Sequence, residues 1–147
     1  MRKGFTLIEM IMVIAIMSIV SGVSVLSVKY YKTVNNSLDA DYYCNAVVSF
    51  INNSKMYCRK NSCSAIINFD KGKNEIKLVN GIKVVNKLML KDKITLFGFT
   101  GRVNNTYIVI NSQGYSNDAF TLILKDNNSK KYEITMRVGT AYVKIKE

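Results

Sequence analysis

One long apolar run near the start of the chain constrains its structure more than any other feature. Residues 5–28 make 24 positions with a single charge, Glu9. As a helix with ~1.5 Å rise per residue, the run would be roughly 36 Å long, enough to cross ~30 Å of hydrocarbon. A secretory signal also follows basic residues such as Arg2 and Lys3, but its apolar part is shorter and ends in a small-residue cleavage site. The run therefore predicts a single N-terminal membrane anchor over residues 5–28.

Glu9 is the unusual residue of this run. A carboxylate inside a membrane helix costs about 2.5–3.5 kcal/mol at mid-bilayer and less near the surface, and such groups usually have a partner. The run offers Glu9 no ionisable partner. We expect its partner on another molecule or at a freed N-terminus, the alternative being a carboxylate that snorkels to the surface without a role.

Residues 4–10, Gly-Phe-Thr-Leu-Ile-Glu-Met, resemble the type IV prepilin signature, in which Gly and then Phe-Thr-Leu-Ile-Glu open an apolar helix. The resemblance implies a leader over residues 1–4, removed by a prepilin peptidase that cuts between Gly4 and Phe5 and methylates the new amino group. It also implies that Glu9 pairs with that amino group on a neighbouring subunit.

Membrane topology and partners are further implications of this resemblance. The N-terminus would be cytoplasmic, with one pass through the cytoplasmic membrane and an extracytoplasmic head that becomes extracellular in the assembled filament. The implied partners are other pilin or pseudopilin subunits, the prepilin peptidase and an inner-membrane assembly platform. In one departure, Leu26 stands where many major pilins have proline, so a helix break there is less expected.

After the anchor, residues 29–57 predict an amphipathic continuation of the helix. An apolar stripe steps by four and is widened by neighbouring residues. Its members are Val34, Leu38, Tyr42, Tyr43, Ala46, Val47, Phe50 and Ile51. Lys and Tyr at positions 29–32 suit the membrane interface, where Tyr lies at headgroup level and Lys snorkels.

Residues 58–147 predict a β-rich globular head. The strand candidates are residues 64–69, 74–79, 82–90, 93–99, 106–111, 119–125, 131–138 and 141–146. Residues 70–73, Asp-Lys-Gly-Lys, and the pair Asn80-Gly81 are hairpin signals. The expected fold is α+β, with a long N-terminal helix packed on an antiparallel β-sheet head.

The end of the chain is loosely similar to the tail of minor pseudopilins of the H type and their pilus and competence relatives. The similarity covers residues 110–114, 120–124, 132–136, 138–139 and 142–145. Those tails close with a Gly-Arg-Val-like motif. Here Thr140 and Ala141 follow Gly139, so the usual Arg is absent.

Three cysteines leave the disulfide state open. Cys58 and Cys63 bracket four residues where the helix should end, and a disulfide between them would persist outside the cytoplasm. Cys44 lies fourteen residues before Cys58, roughly 21 Å along a helix, so that pair cannot bridge. A Cys44–Cys63 bridge and free thiols are the alternatives to the predicted Cys58–Cys63 disulfide.

The chain carries 21 Lys and Arg against 10 Asp and Glu, a formal charge of +11. Such an excess suits phosphates, so Lys130, Lys131 and Arg137 are candidate DNA contacts. The alternative is compositional, because the lysines are scattered along a chain rich in Lys, Asn and Ile. Nucleic acid is therefore a partner that the sequence allows but does not favour.

Most enzyme chemistry is excluded by composition. The chain has no His, and it has neither a GxxxxGK nor a GxGxxG phosphate-binding motif. Its carboxylates form no evident pair, since Asp39 and Asp41 point away from each other on a helix. We expect no catalytic residue, no metal and no cofactor.

The sequence thus predicts a structural subunit, a minor pilin or pseudopilin of a type IV pilus-like or type II secretion-like filament. The alternatives are a competence pseudopilin that contributes to DNA binding and uptake, and a single-pass anchored extracellular binding module unrelated to pili.

Overall fold

The computed structural model describes residues 6–91, 93–101, 106–116, 118–138 and 143–146. The chain divides into two compact units, Met1–Ser37 and Leu38–Glu147. The helix α1 (Leu7–Lys60) is followed, within the described residues, by eight strands: β1 (Ala65–Asp70), β2 (Glu75–Asn80), β3 (Lys83–Met89), β4 (Ile94–Gly101), β5 (Tyr107–Ile110), β6 (Phe120–Asp126), β7 (Lys131–Met136) and β8 (Val143–Lys146).

The first unit contains only the N-terminal part of α1 among its described residues. Every side chain described between Thr6 and Val34 is exposed. The serine hydroxyls of this segment donate to the carbonyl four residues earlier, for example Ser21 Oγ to Met17 O at 2.7 Å. Such bonds satisfy a hydroxyl within its own helix, so the serines remain compatible with hydrocarbon. On length and composition, α1 could cross a membrane.

A Schellman motif ends α1 at Lys60, three residues beyond the predicted end. Ser62 has a left-handed backbone, with φ 48°. Its N–H donates to Arg59 O at 3.3 Å, and the N–H of Cys63 donates to Cys58 O at 3.1 Å. These two bonds satisfy carbonyls that the end of a helix leaves without partners, and they turn the chain toward β1.

The head has two antiparallel four-stranded sheets, in the orders β3-β2-β1-β5 and β4-β6-β7-β8. The eight observed strands lie within a few residues of the predicted ones, and the predicted hairpins join β1 to β2 and β2 to β3. The α+β class is confirmed. The strands form two sheets because the chain leaves the first sheet after β3, and β5 returns to pair with β1.

Asn74 fixes the crossing between the sheets. Its side-chain amide donates to Leu90 O at 3.2 Å and to Ile94 O at 2.6 Å, while its Oδ1 accepts from Leu96 N at 2.9 Å. The Asn74 carbonyl also accepts from Leu90 N at 3.0 Å. Asn74, the residue before β2, thus binds the β3–β4 connection and the first residues of β4, which is an edge strand of the second sheet.

Within the second unit, the helix and the inner faces of both sheets share one hydrophobic core. Phe69, Phe99 and Phe120 pack together in it, with ring centroids 5.1–5.9 Å apart. The buried residues of the helix are Ala40, Tyr43, Cys44, Val47, Phe50, Ile51, Ser54, Lys55 and Cys58.

Only part of the predicted apolar stripe lies on this buried face of the helix. Leu38 and Tyr42 are 61% and 67% exposed, whereas Phe50 and Ile51 are buried. A helix turns ~100° per residue, so a series that steps by four drifts ~40° at each step. Over the twelve residues from Leu38 to Phe50, the series leaves the exposed side and enters the core.

Candidate functional site

The start of α1 is a capping box formed by Thr6 and Glu9. The backbone N–H of Thr6 donates to Glu9 Oε2 at 2.8 Å, and the Thr6 hydroxyl donates to the same oxygen at 2.9 Å. In return, the Glu9 N–H donates to Thr6 Oγ1 at 3.4 Å. This reciprocal arrangement satisfies donors that a helix start leaves unpaired, and it holds the carboxylate near the positive end of the helix dipole.

Thr6 is thus a hydrogen-bond partner of Glu9 within its own run, but it is not an ionisable one. Thr6 supplies two neutral hydrogen bonds, but neither provides the positive charge that would neutralise a carboxylate in hydrocarbon. The predicted processing residues Gly4 and Phe5 lie outside the described residues. The pairing of Glu9 with a neighbouring amino group stays a prediction.

The predicted disulfide residues are free thiols in this structure, as is Cys44. Cys58 and Cys63 nevertheless lie side by side, because in the Schellman motif the N–H of Cys63, the third residue beyond the end of α1, donates to the carbonyl of Cys58. Burial raises the pKa of the Cys58 thiol, and the neighbouring Cys63 thiol raises it further. Cys63 also accepts a hydrogen bond from Asn80 Nδ2 at 3.4 Å.

A basic cluster lies on the outer face of the second sheet. Lys125 and Lys131 are directly opposite each other on β6 and β7, and their ammonium groups lie 5.3 and 5.1 Å from the centroid of the Phe97 ring. Phe97 is 48% exposed. Within the described part of the chain, neither lysine forms a salt bridge. We call Phe97, Lys125 and Lys131 the basic cluster.

The three candidate DNA contacts are not brought together as a unit. Lys131 belongs to the basic cluster, and Lys130 lies over the Tyr132 ring at 5.0 Å in the adjacent turn. Arg137 is exposed, but it lies six residues beyond Lys131, about 20 Å along an extended strand. The sequence analysis missed Phe97.

The described residues contain no group of three or more Cys, Asp or Glu side chains that could hold a metal ion. A surface groove of about 680 Å³ is lined by residues of the helix and of the β3–β4 connection: Asp39, Tyr42, Tyr43, Lys91 and Lys93. An ion pair between Lys93 and Asp39 joins its two sides. This lining has one carboxylate, Asp39, and it is paired with Lys93.

Comparisons with known proteins agree with the start of the helix and with the fold of the head. Residues 1–25 match the family described as the prokaryotic N-terminal methylation motif. The fold is similar to that of the minor pseudopilin EpsH from the type 2 secretion system of Vibrio cholerae, with a TM-score of 0.57. That likeness covers 73% of this chain and 95% of the other at 12% sequence identity, so it is a likeness of fold. No curated protein matches the chain in sequence.

The motif and the fold together support assignment to the type IV pilin and pseudopilin family. The motif and the apolar helix also indicate membrane anchoring. The resemblance of residues 4–10 to the prepilin signature is confirmed by the family match.

Proposed function

We propose that this protein is a minor pilin or pseudopilin, a structural subunit that enters a type IV pilus-like or type II secretion-like filament through its N-terminal helix. The observation that carries the proposal is the methylation motif at residues 1–25, which opens a helix whose described side chains are all exposed as far as Val34. Exposed apolar side chains on every side of a helix require lipid or neighbouring helices to cover them.

In this proposal, a prepilin peptidase cuts between Gly4 and Phe5 and methylates the Phe5 amine. The precursor crosses the cytoplasmic membrane once, with its N-terminus in the cytoplasm and its head outside. An inner-membrane assembly platform then moves the subunit from the membrane into the filament. The chain has no phosphate-binding motif, so the energy for this movement comes from another protein.

Glu9 would fix the axial position of one subunit relative to its neighbour in the filament. A methylated amine remains cationic, and a cation beside Glu9 in the low dielectric of a helix bundle is attracted far more strongly than in water. Thr6 holds the carboxylate with hydrogen bonds of 2.8 and 2.9 Å before a neighbour arrives. A carboxylate fixed in this way loses less side-chain entropy when it pairs.

The test separates the charge of Glu9 from its role as a cap. Gln is also a capping-box residue, so Glu9→Gln removes the charge but keeps the hydrogen bond from the Thr6 N–H. In cells that co-express parent and variant at equal levels, we expect Glu9→Gln to insert in the membrane normally and to be depleted from filaments. Thr6→Ser, which keeps the hydroxyl, is the matched control and should be incorporated like the parent. Equal incorporation of Glu9→Gln would refute the pairing.

A second function, contact with DNA, is favoured by the basic cluster. Like charges directly opposite each other on neighbouring strands are unfavourable, and a phosphate between Lys125 and Lys131 would relieve their repulsion.

The salt dependence of duplex binding tests this contact. If these lysines contact DNA, the double substitution Lys125→Gln with Lys131→Gln should reduce the slope of log affinity against log salt by ~0.9 for each lost contact, for up to two contacts. The charge-matched control is Lys71→Gln with Lys73→Gln, in the β1–β2 turn. Equal weakening by the two doubles, or no binding by the detergent-solubilised parent at low salt, would exclude this contact.

A further inference from the structure

Phe97 is an aromatic side chain that the second sheet turns outward. Ile94 and Leu96 are buried, so the alternation of β4 directs Phe97 to the outer face. The register of β4 on β6 shifts between Leu96 and Gly98, which makes Phe97 the extra residue of a β-bulge. Such a residue is left unpaired in the ladder, and bulges often set the direction of a side chain at a functional site.

Two ammonium groups converge on the Phe97 ring. Lys125 lies on the neighbouring strand β6, and Lys131 lies on β7, one strand further away. Their ammonium groups are 5.3 and 5.1 Å from the ring centroid, a distance at which a cation is attracted to an aromatic ring. Phe97 remains 48% exposed with both groups in place. The ring therefore keeps free surface on which a ligand can pack.

The carboxylates beside the basic cluster do not neutralise it. Asp126 is on the buried face of β6, where it accepts a hydrogen bond from Lys130 N at 2.8 Å. Glu133 follows Lys131 by two residues on the outer face of β7, and strand register sets it opposite Lys146. Among the residues that the structure describes, neither carboxylate forms a salt bridge with a lysine of the cluster. The basic cluster thus combines two positive charges with an exposed ring.

An exposed ring beside two cations distinguishes single-stranded DNA from a duplex. Phosphates are present in both, so lysine contacts alone do not discriminate between them. The bases of a duplex are stacked on one another, and their faces cannot reach a protein side chain. An unpaired base offers its face to an aromatic residue, while the backbone beside it meets basic residues.

We propose that the basic cluster binds single-stranded DNA, with a base stacked on Phe97 and the adjacent phosphate between Lys125 and Lys131. This inference rests on the DNA contact proposed above and adds a preference for an unpaired strand. The two lysines are directly opposite each other on neighbouring strands, with Cβ atoms ~5 Å apart, so one phosphate can reach both ammonium groups. Every base has a face that can stack, so the binding is independent of sequence.

Three labelled probes test the stacking, with the detergent-solubilised full chain at low salt and fluorescence anisotropy as the measurement. The probes are an oligothymidylate, an abasic strand of the same length, which keeps the phosphates but has no bases, and a duplex. We expect the parent to bind the oligothymidylate about tenfold more tightly than the abasic strand. Phe97→Leu should remove this difference and leave binding of the abasic strand and the duplex unchanged.

Tyr107→Leu is the matched control for Phe97→Leu. Tyr107 is also an exposed aromatic residue of a strand, at 43% exposure, but it belongs to the first sheet. This variant should keep the parent's preference for the oligothymidylate. Circular dichroism melting of both variants verifies that the head remains folded.

The outcomes separate the stacking from the DNA contact on which it rests. The stacking would be overturned if the parent bound the abasic strand as tightly as the oligothymidylate, or if Phe97→Leu kept the preference as Tyr107→Leu does. Either result would leave the duplex contact of Lys125 and Lys131 standing. Lys125→Gln with Lys131→Gln should weaken the binding of all three probes, because all three carry phosphates. No binding of any probe, or no effect of this double substitution, would exclude both the stacking and the DNA contact.

Discussion

Gly114 lies against the backbone carbonyl of Lys55, so that a Cβ on Gly114 would come within 2.9 Å of the carbonyl oxygen. The loop that contains Gly114 is also bonded to the helix through Arg59 Nε, which donates to Gln113 O at 3.2 Å. These contacts connect the segment before β6 to the last turns of α1. Gly114 is therefore a packing residue of the head as well as a turn residue.

Gly114→Ala should destabilise the head. The new methyl would meet backbone that cannot rotate away, and φ at this position is +79°, where non-glycine residues are strained. We expect a loss of about 1–3 kcal/mol in the free energy of unfolding. Urea unfolding of the detergent-solubilised full chain, followed by near-UV circular dichroism, measures it.

Gly72→Ala is the control for this substitution. A Cβ on Gly72 would lie 3.4 Å from a carboxylate oxygen of Asp70, an ordinary contact. We expect it to change stability by less than about 0.5 kcal/mol, as for most surface substitutions. If the two variants are equally stable, the packing of Gly114 on the helix does not matter.

Glu75 should make the head sensitive to acid. Its pKa is lowered from 4.5 to about 2 in the folded chain, first through the Lys77 hydrogen bond and then through Lys87. A lowered folded-state pKa contributes stability above the unfolded-state pKa, and this contribution is lost as the pH falls toward the folded-state value. The free energy of unfolding should therefore decrease between about pH 5 and pH 2.

Glu75→Gln should remove part of this acid sensitivity, because Gln does not titrate. Unfolding of parent and variant is compared at several values of pH between 2 and 7. Glu133→Gln, on the outer face of β7, is the matched control and should keep the parent profile. An acid profile of Glu75→Gln identical to that of the parent would contradict this account of Glu75.

Cys58 and Cys63 should form a disulfide when the head is oxidised, since the Schellman motif places them side by side. The loop that they close is short, so we expect a gain of about 2 kcal/mol. Alkylation followed by mass spectrometry should find this pair blocked in oxidised protein. Buried Cys44, whose raised pKa of about 11 makes it unreactive, should remain reduced. An oxidised Cys44–Cys63 pair, or two free thiols after oxidation, would be the contrary result.

The sequence predicted strand positions well, because a strand with one buried face shows an alternation of apolar and polar residues within the strand itself. In β6, Phe120, Leu122 and Leu124 are buried and the residues between them are not, as the alternation indicated. The choice of which strands pair with each other has no comparable local pattern in the sequence. Nothing near Tyr107 indicates that β5 pairs with β1 rather than with β4.

The errors at the helix and the basic cluster have separate physical causes. The stripe through Leu38 was misassigned because a step of four residues drifts around a helix. Phe97 follows the alternation that buries Ile94 and Leu96, so its outward direction could have been predicted. The register shift between Leu96 and Gly98 changes the directions of the side chains after Phe97. The capping box could have been found, since Thr6-x-x-Glu9 before an apolar run is its sequence pattern.

The mature N-terminus tests the central claim most directly. Intact-mass and N-terminal peptide analysis of the membrane fraction, from cells with an active prepilin peptidase, would determine where the chain begins. We predict a chain that starts at Phe5 with a methylated amino group, and an unprocessed precursor in cells without the peptidase. A chain that still starts at Met1 in the presence of the active peptidase would contradict the assignment to a filament subunit.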